Sequence, residues 1–248
     1  MPDGRPYSGI MAVTVDSVRE NLDRARAEIG SALGRSGAPA REVRIMAVTK
    51  THPPEVVLSV LRAGIRIIGE NRTSEGGRKV AAIGRKAAEW HMIGPLHRSE
   101  VRRAVRDFDW IDSIDRPALL PEIASRLASS ESPGAEAVPG MLLEVNTSGE
   151  ASKHGLDPDR SSLAEVLGRA GDLGLSIAGL FTVGPLTSDE SESRRAFAAL
   201  RELRDSLRAS VCPTLTELSM GMSDDFHLAV IEGATIVRLG RYLLGDRG

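Results

Sequence analysis

Hydrophobic and polar positions along the chain follow two periods that alternate from residue 43 almost to the C-terminus. Short apolar or β-branched runs, typical of buried strands, are each followed by a longer stretch with helical spacing. The runs predict strands at residues 43–49, 66–69, 90–93, 110–113, 140–146, 176–182, 215–218 and 235–239. Ahead of them, residues 14–34 carry apolar side chains every three or four positions and predict an amphipathic helix.

Strands that alternate with helices form parallel βαβ units. Eight such units after one extra helix favour an α/β fold, a single (β/α)8 TIM barrel preceded by an N-terminal helix, over an open doubly wound sheet. The length of 248 residues is typical of such a barrel. Residues 129–139 are the most loop-like internal stretch but are too short to separate domains. We therefore expect one domain over residues 12–248 and a flexible leader over residues 1–11.

Charge and composition exclude several classes of partner. The formal net charge is −2, and basic and acidic residues are interleaved, so a general attraction to nucleic acid is not expected. No apolar run approaches the length needed to cross a membrane, and residues 1–11 lack the basic lead and apolar core of a signal peptide. The single cysteine, Cys212, fits a reducing compartment. We expect a cytoplasmic protein, monomeric, without nucleic-acid or membrane partners.

Lys50 ends the first predicted strand, which Pro53 and Pro54 stop shortly afterwards. A primary amine at the end of a buried strand loses hydration, which disfavours its charged form and leaves a nucleophile able to attack an aldehyde. The product would be a Schiff base. For a strand-end lysine considered alone, the commoner situation is a side chain that simply reaches into solvent.

The other predicted strands also end in polar residues, and in a parallel barrel the chemistry gathers at the carboxyl ends of the strands. These residues are Lys50, Asn71, Asp112, Asn146, Thr182, Ser219 and Arg238. Arg238 interrupts an otherwise apolar strand, and a buried guanidinium needs a partner. That partner is either a ligand or a strand carboxylate such as Glu144.

The loops after strands seven and eight are where barrels commonly bind phosphate. Gly221 and Gly240 let the main chain come close to a ligand, and Ser219 offers a hydroxyl. Ser223 is predicted to cap the following helix, as Thr187 with Glu190 is predicted to form a capping box further upstream. No Walker or dinucleotide-binding glycine pattern is present, so spacing alone identifies no phosphate site.

The five histidines form no metal-binding spacing with one another or with Cys212, so we expect no metal site. His91 lies in a predicted strand and has two possible interpretations. It is either a hydrogen-bonded core histidine, the commoner case, or a residue that touches a ligand inside the barrel.

Taken together, the motifs resemble the pyridoxal-phosphate homeostasis protein family, the YggS-like proteins, whose fold is similar to the N-terminal barrel domain of alanine racemase. The matching segments follow one another in family order. They are residues 47–51, 69–71, 90–96, 112–115, 144–146, 153–155, 179–182, 219–225 and 237–240. The stretch from Ser219 to Asp225, Ser-Met-Gly-Met-Ser-Asp-Asp, is the most specific of them.

The resemblance implies that Lys50 forms an internal aldimine with pyridoxal 5′-phosphate and that Arg238 approaches the pyridine nitrogen. It further implies that Asn71 and His91 lie beside the ring. The phosphate would be held by Ser219 together with the main chain of Gly240 and Arg241, and Met220 would also contact the cofactor. The chain departs from the usual family pattern at Thr49, His52, Arg72, Ser74 and residues 97–100.

The function implied is storage and delivery of vitamin B6 cofactor inside the cell, with apo-enzymes that use this cofactor as recipients and without catalysis. The alternative is an amino-acid racemase or decarboxylase that uses the same cofactor. A racemase needs a second acid/base, often a tyrosine, and the two tyrosines, Tyr7 and Tyr242, are poor candidates; the chain is also expected to end after one barrel. A cofactor-free barrel enzyme that forms a Schiff base fits the bare motifs but not the resemblance.

Overall fold

The computed structural model describes residues 13–37, 41–129, 139–150 and 152–245. Its strands form a closed parallel barrel in which each strand pairs with the next along the chain and the last pairs with the first. The strands are β1 Arg44–Val48, β2 Ile67–Glu70, β3 Glu89–Met92, β4 Trp110–Ile114, β5 Gly140–Glu144, β6 Gly179–Phe181, β7 Glu217–Ser219 and β8 Ile236–Leu239. The predicted (β/α)8 barrel is confirmed, with every predicted strand present.

Helices surround the barrel, and a further helix, α1, precedes the first strand as predicted. The helices are α1 Val15–Ser36, α2 Pro54–Arg62, α3 Thr73–Ile83, α4 Val101–Asp107, α5 Leu119–Ala128, α6 Arg160–Asp172, α7 Glu190–Ser210, α8 Phe226–Ile231 and α9 Arg241–Leu244. Short 3-10 turns occupy Arg85–Ala87 and Arg98–Glu100. Within the described ranges, every helix is too short or too polar to cross a bilayer.

The core has two parts, because successive side chains on a strand point to opposite faces. Outward-facing residues such as Ala47, Ile68 and Val237 join the large apolar cluster between the barrel and its helices. Their neighbours Met46, Ile67 and Ile236 form a separate small cluster inside the barrel, with Ile93 packed against it. The remainder of the interior is occupied largely by polar and charged side chains. Buried polar residues near the carboxyl ends of the strands include Glu144, Ser219 and Arg238.

Two predicted helix caps are wrong. Helix α7 begins at Glu190, and its cap is Asp189, whose Oδ1 accepts a hydrogen bond from the Ser191 N–H at 2.8 Å. Thr187 instead accepts from the Asp189 N–H at 3.0 Å and lies two residues before the position that caps the helix. Ser223 does not cap α8, since its Oγ accepts a hydrogen bond from the Tyr242 N–H at 3.1 Å. Both errors have the same cause. An aspartate closer to the first helical residue occupies the N-cap position, Asp189 for α7 and Asp225 for α8.

The domain boundaries stay a prediction. The predicted leader, residues 1–11, and all but the two ends of the loop-like stretch 129–139 lie outside the described residues.

Candidate functional site

Lys50 lies just beyond the end of β1, in a turn that leads into α2, and is half-buried. The turn is closed by a hydrogen bond from the His52 N–H to the Thr49 carbonyl at 3.1 Å. Thr51 adopts a left-handed conformation with φ of 69°, and among the described residues it is the sole non-glycine residue with positive φ. The lysine therefore leaves the barrel from a tightly turned segment rather than from a loose loop.

Arg238 lies inside the barrel on β8, the strand next to β1, and is 3% exposed. Its guanidinium donates to the Ser219 hydroxyl at 3.1 Å and to the Thr182 carbonyl at 2.7 Å. The guanidinium carbon also stands 4.3 Å from the centre of the Phe181 ring, a cation–π arrangement. Two of the predicted site residues, Arg238 and Ser219, are thus in direct contact.

The sequence offered Glu144 as an ion-pair partner for Arg238, and the described structure forms no such pair. The carboxylates of Asp112, Asp225 and Glu144 act on Arg238 through space, beyond ion-pair distance. Burial lowers the pKa of Arg238 to about 10, against the opposing effect of these three acids. The guanidinium is therefore charged at neutral pH and is satisfied mainly by neutral acceptors.

Glu144, the last residue of β5, is a functional candidate that the sequence reasoning did not select. It is 6% exposed, and its carboxyl has no hydrogen-bond partner among the described residues. Burial and the nearby charge of Asp115 raise the pKa of Glu144 to about 7, opposed by Arg238. Asp115 is itself buried, with one carboxylate oxygen unpartnered. The available signal was a charged residue closing an apolar strand.

His91 is fully buried on β3 and uses both ring nitrogens. Its Nδ1 bonds the Asp112 carboxylate at 2.9 Å, and its Nε2 bonds the Glu89 carboxylate at 2.8 Å. Its ring stacks on Trp110 with a centroid distance of 5.2 Å. Burial favours the neutral form, yet the two carboxylates outweigh it and raise the pKa of His91 to about 9. His91 is thus a hydrogen-bonded core histidine, and its contact with a ligand stays a prediction.

Asn71 follows β2 and is half-buried, with a side-chain amide that makes no hydrogen bond within the described part of the chain. Its main chain packs tightly against Gly94, where an added Cβ would lie 2.2 Å from the Asn71 carbonyl oxygen. Only glycine fits at position 94 without moving this backbone. The backbone that carries this amide is therefore held in place at the end of β2, and the contact of the amide with a ligand stays a prediction.

The loops after β7 and β8 are joined to each other by side chains. Ser223 accepts from the Tyr242 N–H, and Asp224 forms an ion pair with Arg241. Asp225 folds the first loop back on itself by accepting from the Met222 N–H at 2.6 Å. These contacts fix Gly240 and Arg241 relative to the segment that begins at Ser219.

Met220 differs from its neighbours. Its side chain is buried in the cluster between barrel and helices, and its N–H donates to the Ile236 carbonyl at 3.1 Å. The structure therefore does not bring this side chain to the barrel interior. Gly240 is also less constrained than expected, since an added Cβ would meet only Val48 at ordinary contact distances of 3.6 and 3.7 Å.

The pyridoxal phosphate homeostasis protein of Vibrio cholerae is 38% identical over 236 residues, which cover 93% of this chain and 97% of that protein. No family model matches the chain. The chain belongs to the pyridoxal phosphate homeostasis protein family.

Solved structures agree with this family membership. PipY of Synechococcus elongatus, determined with pyridoxal phosphate bound, matches with a TM-score of 0.76 and 33% identity, over 92% of this chain and all of PipY. An alanine racemase of Clostridium difficile matches with a TM-score of 0.69 at 16% identity, over 95% of this chain and 57% of the racemase. The second likeness shows that this family member shares the barrel fold of the racemase.

Proposed function

We propose that this protein binds pyridoxal 5′-phosphate at the carboxyl end of the barrel, through a Schiff base on Lys50, and stores and delivers the cofactor in the cytoplasm. One observation carries the proposal. Barrel closure sets β1 beside β8, so the lysine just beyond the end of β1 and the buried arginine of β8 belong to adjacent strand segments. The name of the family and the cofactor in PipY agree with it.

The donors around this end suit a phosphorylated aromatic aldehyde. The Ser219 hydroxyl and the N–H groups of Gly240 and Arg241 would hold the phosphate, because the first N–H groups of a helix have no partner inside it. The Asn71 amide would lie beside the ring, and Arg238 would face its nitrogen. When bound, the cofactor supplies an aldehyde for the lysine and an electron-accepting ring. The chain's own residues bind it, orient it and set the charge around it.

Tyr242 supports a binding role over amino-acid turnover. Its hydroxyl donates to Glu28 on α1 at 2.5 Å, and its ring packs on Phe226. Burial, followed by the contact with Glu28, raises the pKa of Tyr242 to about 12, so at neutral pH the hydroxyl stays protonated and cannot accept a proton from a substrate. A racemase needs a second acid/base opposite the lysine. We infer that neither racemisation nor decarboxylation is the main activity, and that the protein acts as a monomer.

Borohydride reduction tests the covalent link. The purified protein is mixed with pyridoxal 5′-phosphate, reduced, digested and mapped by mass spectrometry. We expect the adduct on Lys50 and none in Lys50→Ala. Lys153→Ala is the matched control, because Lys153 is also partly buried but is held by Glu150 and the Gly184 carbonyl, each at 2.7 Å. An adduct on Lys153 in the native protein would contradict the assignment.

A thermal shift tests specificity independently of the covalent bond. Cofactor at about 100 times its Kd should stabilise the native fold by roughly 2.7 kcal/mol. The Lys50→Ala variant should keep part of this shift through its phosphate contacts. Absence of any shift in native protein would contradict specific binding. Racemisation of alanine at about 1 per second or faster would make the protein an enzyme instead.

A further inference from the structure

A buried cluster of three charged residues lies on the outer side of β2, between the barrel and α3. The Lys79 ammonium donates to Glu70 Oε1 at 2.7 Å and to Glu75 Oε1 at 2.8 Å. The side chains of Lys79 and Glu70 are 3% and 0% exposed, and that of Glu75 is 17% exposed. The sequence reasoning assigned no role to any of the three.

The cluster forms hydrogen bonds with the residues on both sides of Lys50. Lys79 makes its third hydrogen bond to the Thr49 carbonyl at 2.7 Å. Glu75 Oε1 accepts from the Thr51 N–H at 2.6 Å, and the Thr49 hydroxyl donates to Glu70. An ammonium has three donors, and here all three are used, one of them on the peptide that precedes Lys50.

The energetics of this arrangement point away from simple stabilisation. Removing an ammonium and a carboxylate from water costs several kcal/mol each, and apolar residues of similar volume often serve the fold as well or better. The left-handed φ of 69° at Thr51 is also unfavourable, more so for a β-branched residue. A conformation of this kind persists only where surrounding contacts hold it. The contact from Glu75 to the Thr51 N–H is one that does so.

We propose that Lys79, together with Glu70 and Glu75, is a positioning group that fixes the 49–51 backbone so that the Lys50 amine is directed at the aldehyde of the bound cofactor. The inference rests on the proposed function and adds residues that touch neither cofactor nor phosphate. It requires the cluster to act on formation of the covalent bond and not on the pocket that holds the rest of the ligand.

Two ligands separate these effects. Pyridoxal 5′-phosphate can form the Schiff base, whereas pyridoxine 5′-phosphate has an alcohol in place of the aldehyde and reports the pocket alone. The variants are Lys79→Met, which keeps the length of the side chain without its charge, and Glu75→Ala, which removes the acceptor for Thr51. Arg78→Met is the matched control, since Arg78 lies beside Lys79 on α3 but is exposed and forms no ion pair within the described residues.

We expect both cluster variants to form the Schiff base about 10- to 100-fold more slowly than native protein, because a displacement of about 1 Å in a reacting group costs up to about 100-fold in rate. The Kd for pyridoxine 5′-phosphate should change by less than about twofold, since the pocket itself is intact. Arg78→Met should match native protein in both measurements. Stopped-flow absorbance gives the rate, and calorimetry gives the Kd.

Unchanged rates in the cluster variants would overturn the proposal. An equal loss of both ligands would also overturn it, because the cluster would then support the fold as a whole. If Lys79→Met does not fold, Glu75→Ala decides the matter, since Glu75 is the more exposed member. Native protein that binds pyridoxine 5′-phosphate but forms no adduct on Lys50 would refute the proposed function itself, and this result appears before any variant is made.

Discussion

Arg238 carries a positive charge inside the barrel, on the strand next to β1. The guanidinium is buried, hydrogen-bonded to neutral oxygens and influenced from a distance by three carboxylates. A positive charge beside a pyridine nitrogen disfavours protonation of that nitrogen. An unprotonated ring accepts electrons poorly, so Arg238 placed at the ring nitrogen, as proposed, would suppress carbanion chemistry on a bound amino acid.

Replacement of this arginine should release that restraint. In Arg238→Gln the side chain stays polar while the positive charge is lost, so the ring nitrogen should protonate more readily. We expect exchange of the α-proton of alanine with deuterated solvent to rise at least about 10-fold. A rise of about one unit in the pKa of the ring nitrogen would give a tenfold larger protonated fraction. NMR measures the exchange at matched cofactor occupancy. Equal exchange in both proteins, with unchanged cofactor absorbance, would mean that Arg238 does not touch the ring nitrogen.

Glu144 should make the site sensitive to pH. With a pKa of about 7, its carboxyl gains a negative charge near Arg238 as the pH passes through neutrality. We expect the absorbance of the bound cofactor to change between about pH 6 and pH 8, and the change to vanish in Glu144→Gln. Glu150→Gln is the control, because Glu150 is bonded to Lys153, which holds the pKa of Glu150 below its usual value. An identical titration in native protein and Glu144→Gln would assign it to another group.

At the scale of elements, the two last barrel loops behave as one unit. Ser223 and Asp224 in the loop after β7 bind Tyr242 and Arg241 at the start of α9, directly after β8. A substitution that moves the loop after β7 should therefore also move the segment after β8. Within the loop after β7, Gly221 is closely packed, with φ of 91° and no space for a side chain.

Gly221→Ala tests this unit. The new Cβ would lie 2.6 Å from the Ala229 Cβ and 2.9 Å from the Phe226 Cα, in addition to the strain of positive φ. Gly174→Ala is the matched control, since Gly174 has φ of 71° but nothing within 4 Å of an added Cβ. We expect the control to lose about 1 kcal/mol of unfolding free energy and Gly221→Ala to lose about 2–4 kcal/mol. Equal losses in urea denaturation would show that the loop yields easily.

Elements were predictable from sequence because periodicity is a local signal. Each strand has its own apolar run, and α1 has its stripe of buried residues Val18, Leu22, Ala25, Ile29 and Ala32. Candidate site residues such as Lys50 and Arg238 were also predictable, since a charged residue in or after an apolar strand is visible in the sequence. Strand ends and caps were less so: β6 spans only Gly179–Phe181, where the pattern predicted 176–182.

The contacts among site residues could not be predicted, because they depend on strand register. The pairing of His91 with Asp112 requires β3 and β4 to be neighbours with a particular offset, and the apolar pattern does not specify that offset. The cluster of Glu70, Glu75 and Lys79 was hidden for a related reason. Lys79 and Glu75 appear in the sequence as ordinary polar residues of an amphipathic helix, and only tertiary packing buries them.

At the scale of the whole molecule, a chain of charges runs along the barrel interior. Near the amino ends of the strands, Arg44 pairs with Glu217 at 2.8 Å and with Glu89 at 3.6 Å. Glu89 bonds His91, and His91 bonds Asp112, which in turn acts electrostatically on Arg238. Much of the barrel is thus filled with charged side chains in place of layers of aliphatic ones. Such an interior should make the stability of the fold depend on pH.

The stability of the cofactor-free protein should fall as the pH rises from about 4.5 to about 9. Folding raises the pKa of Glu144 from 4.5 to about 7, so its stabilising contribution is complete below the lower value and is lost as the pH rises to the upper one. Folding raises the pKa of His91 from 6.5 to about 9, so its contribution is lost between those two values. The carboxyls whose pKa is lowered, such as Glu89, titrate below this window and do not oppose the trend.

Urea denaturation at several pH values measures the effect. Each shift corresponds to at most about 3.5 kcal/mol, at about 1.4 kcal/mol for each pKa unit. Glu144→Gln should reduce the fall between about pH 4.5 and pH 7, to which Glu70 and Asp225 also contribute because burial raises their pKa values, while the fall above about pH 7 remains because His91 is untouched. NMR of the His91 ring should show it protonated at neutral pH. Native stability that rises from about pH 5 to pH 9 would mean that the interior histidine is neutral in the fold and that the barrel is held together without this charge.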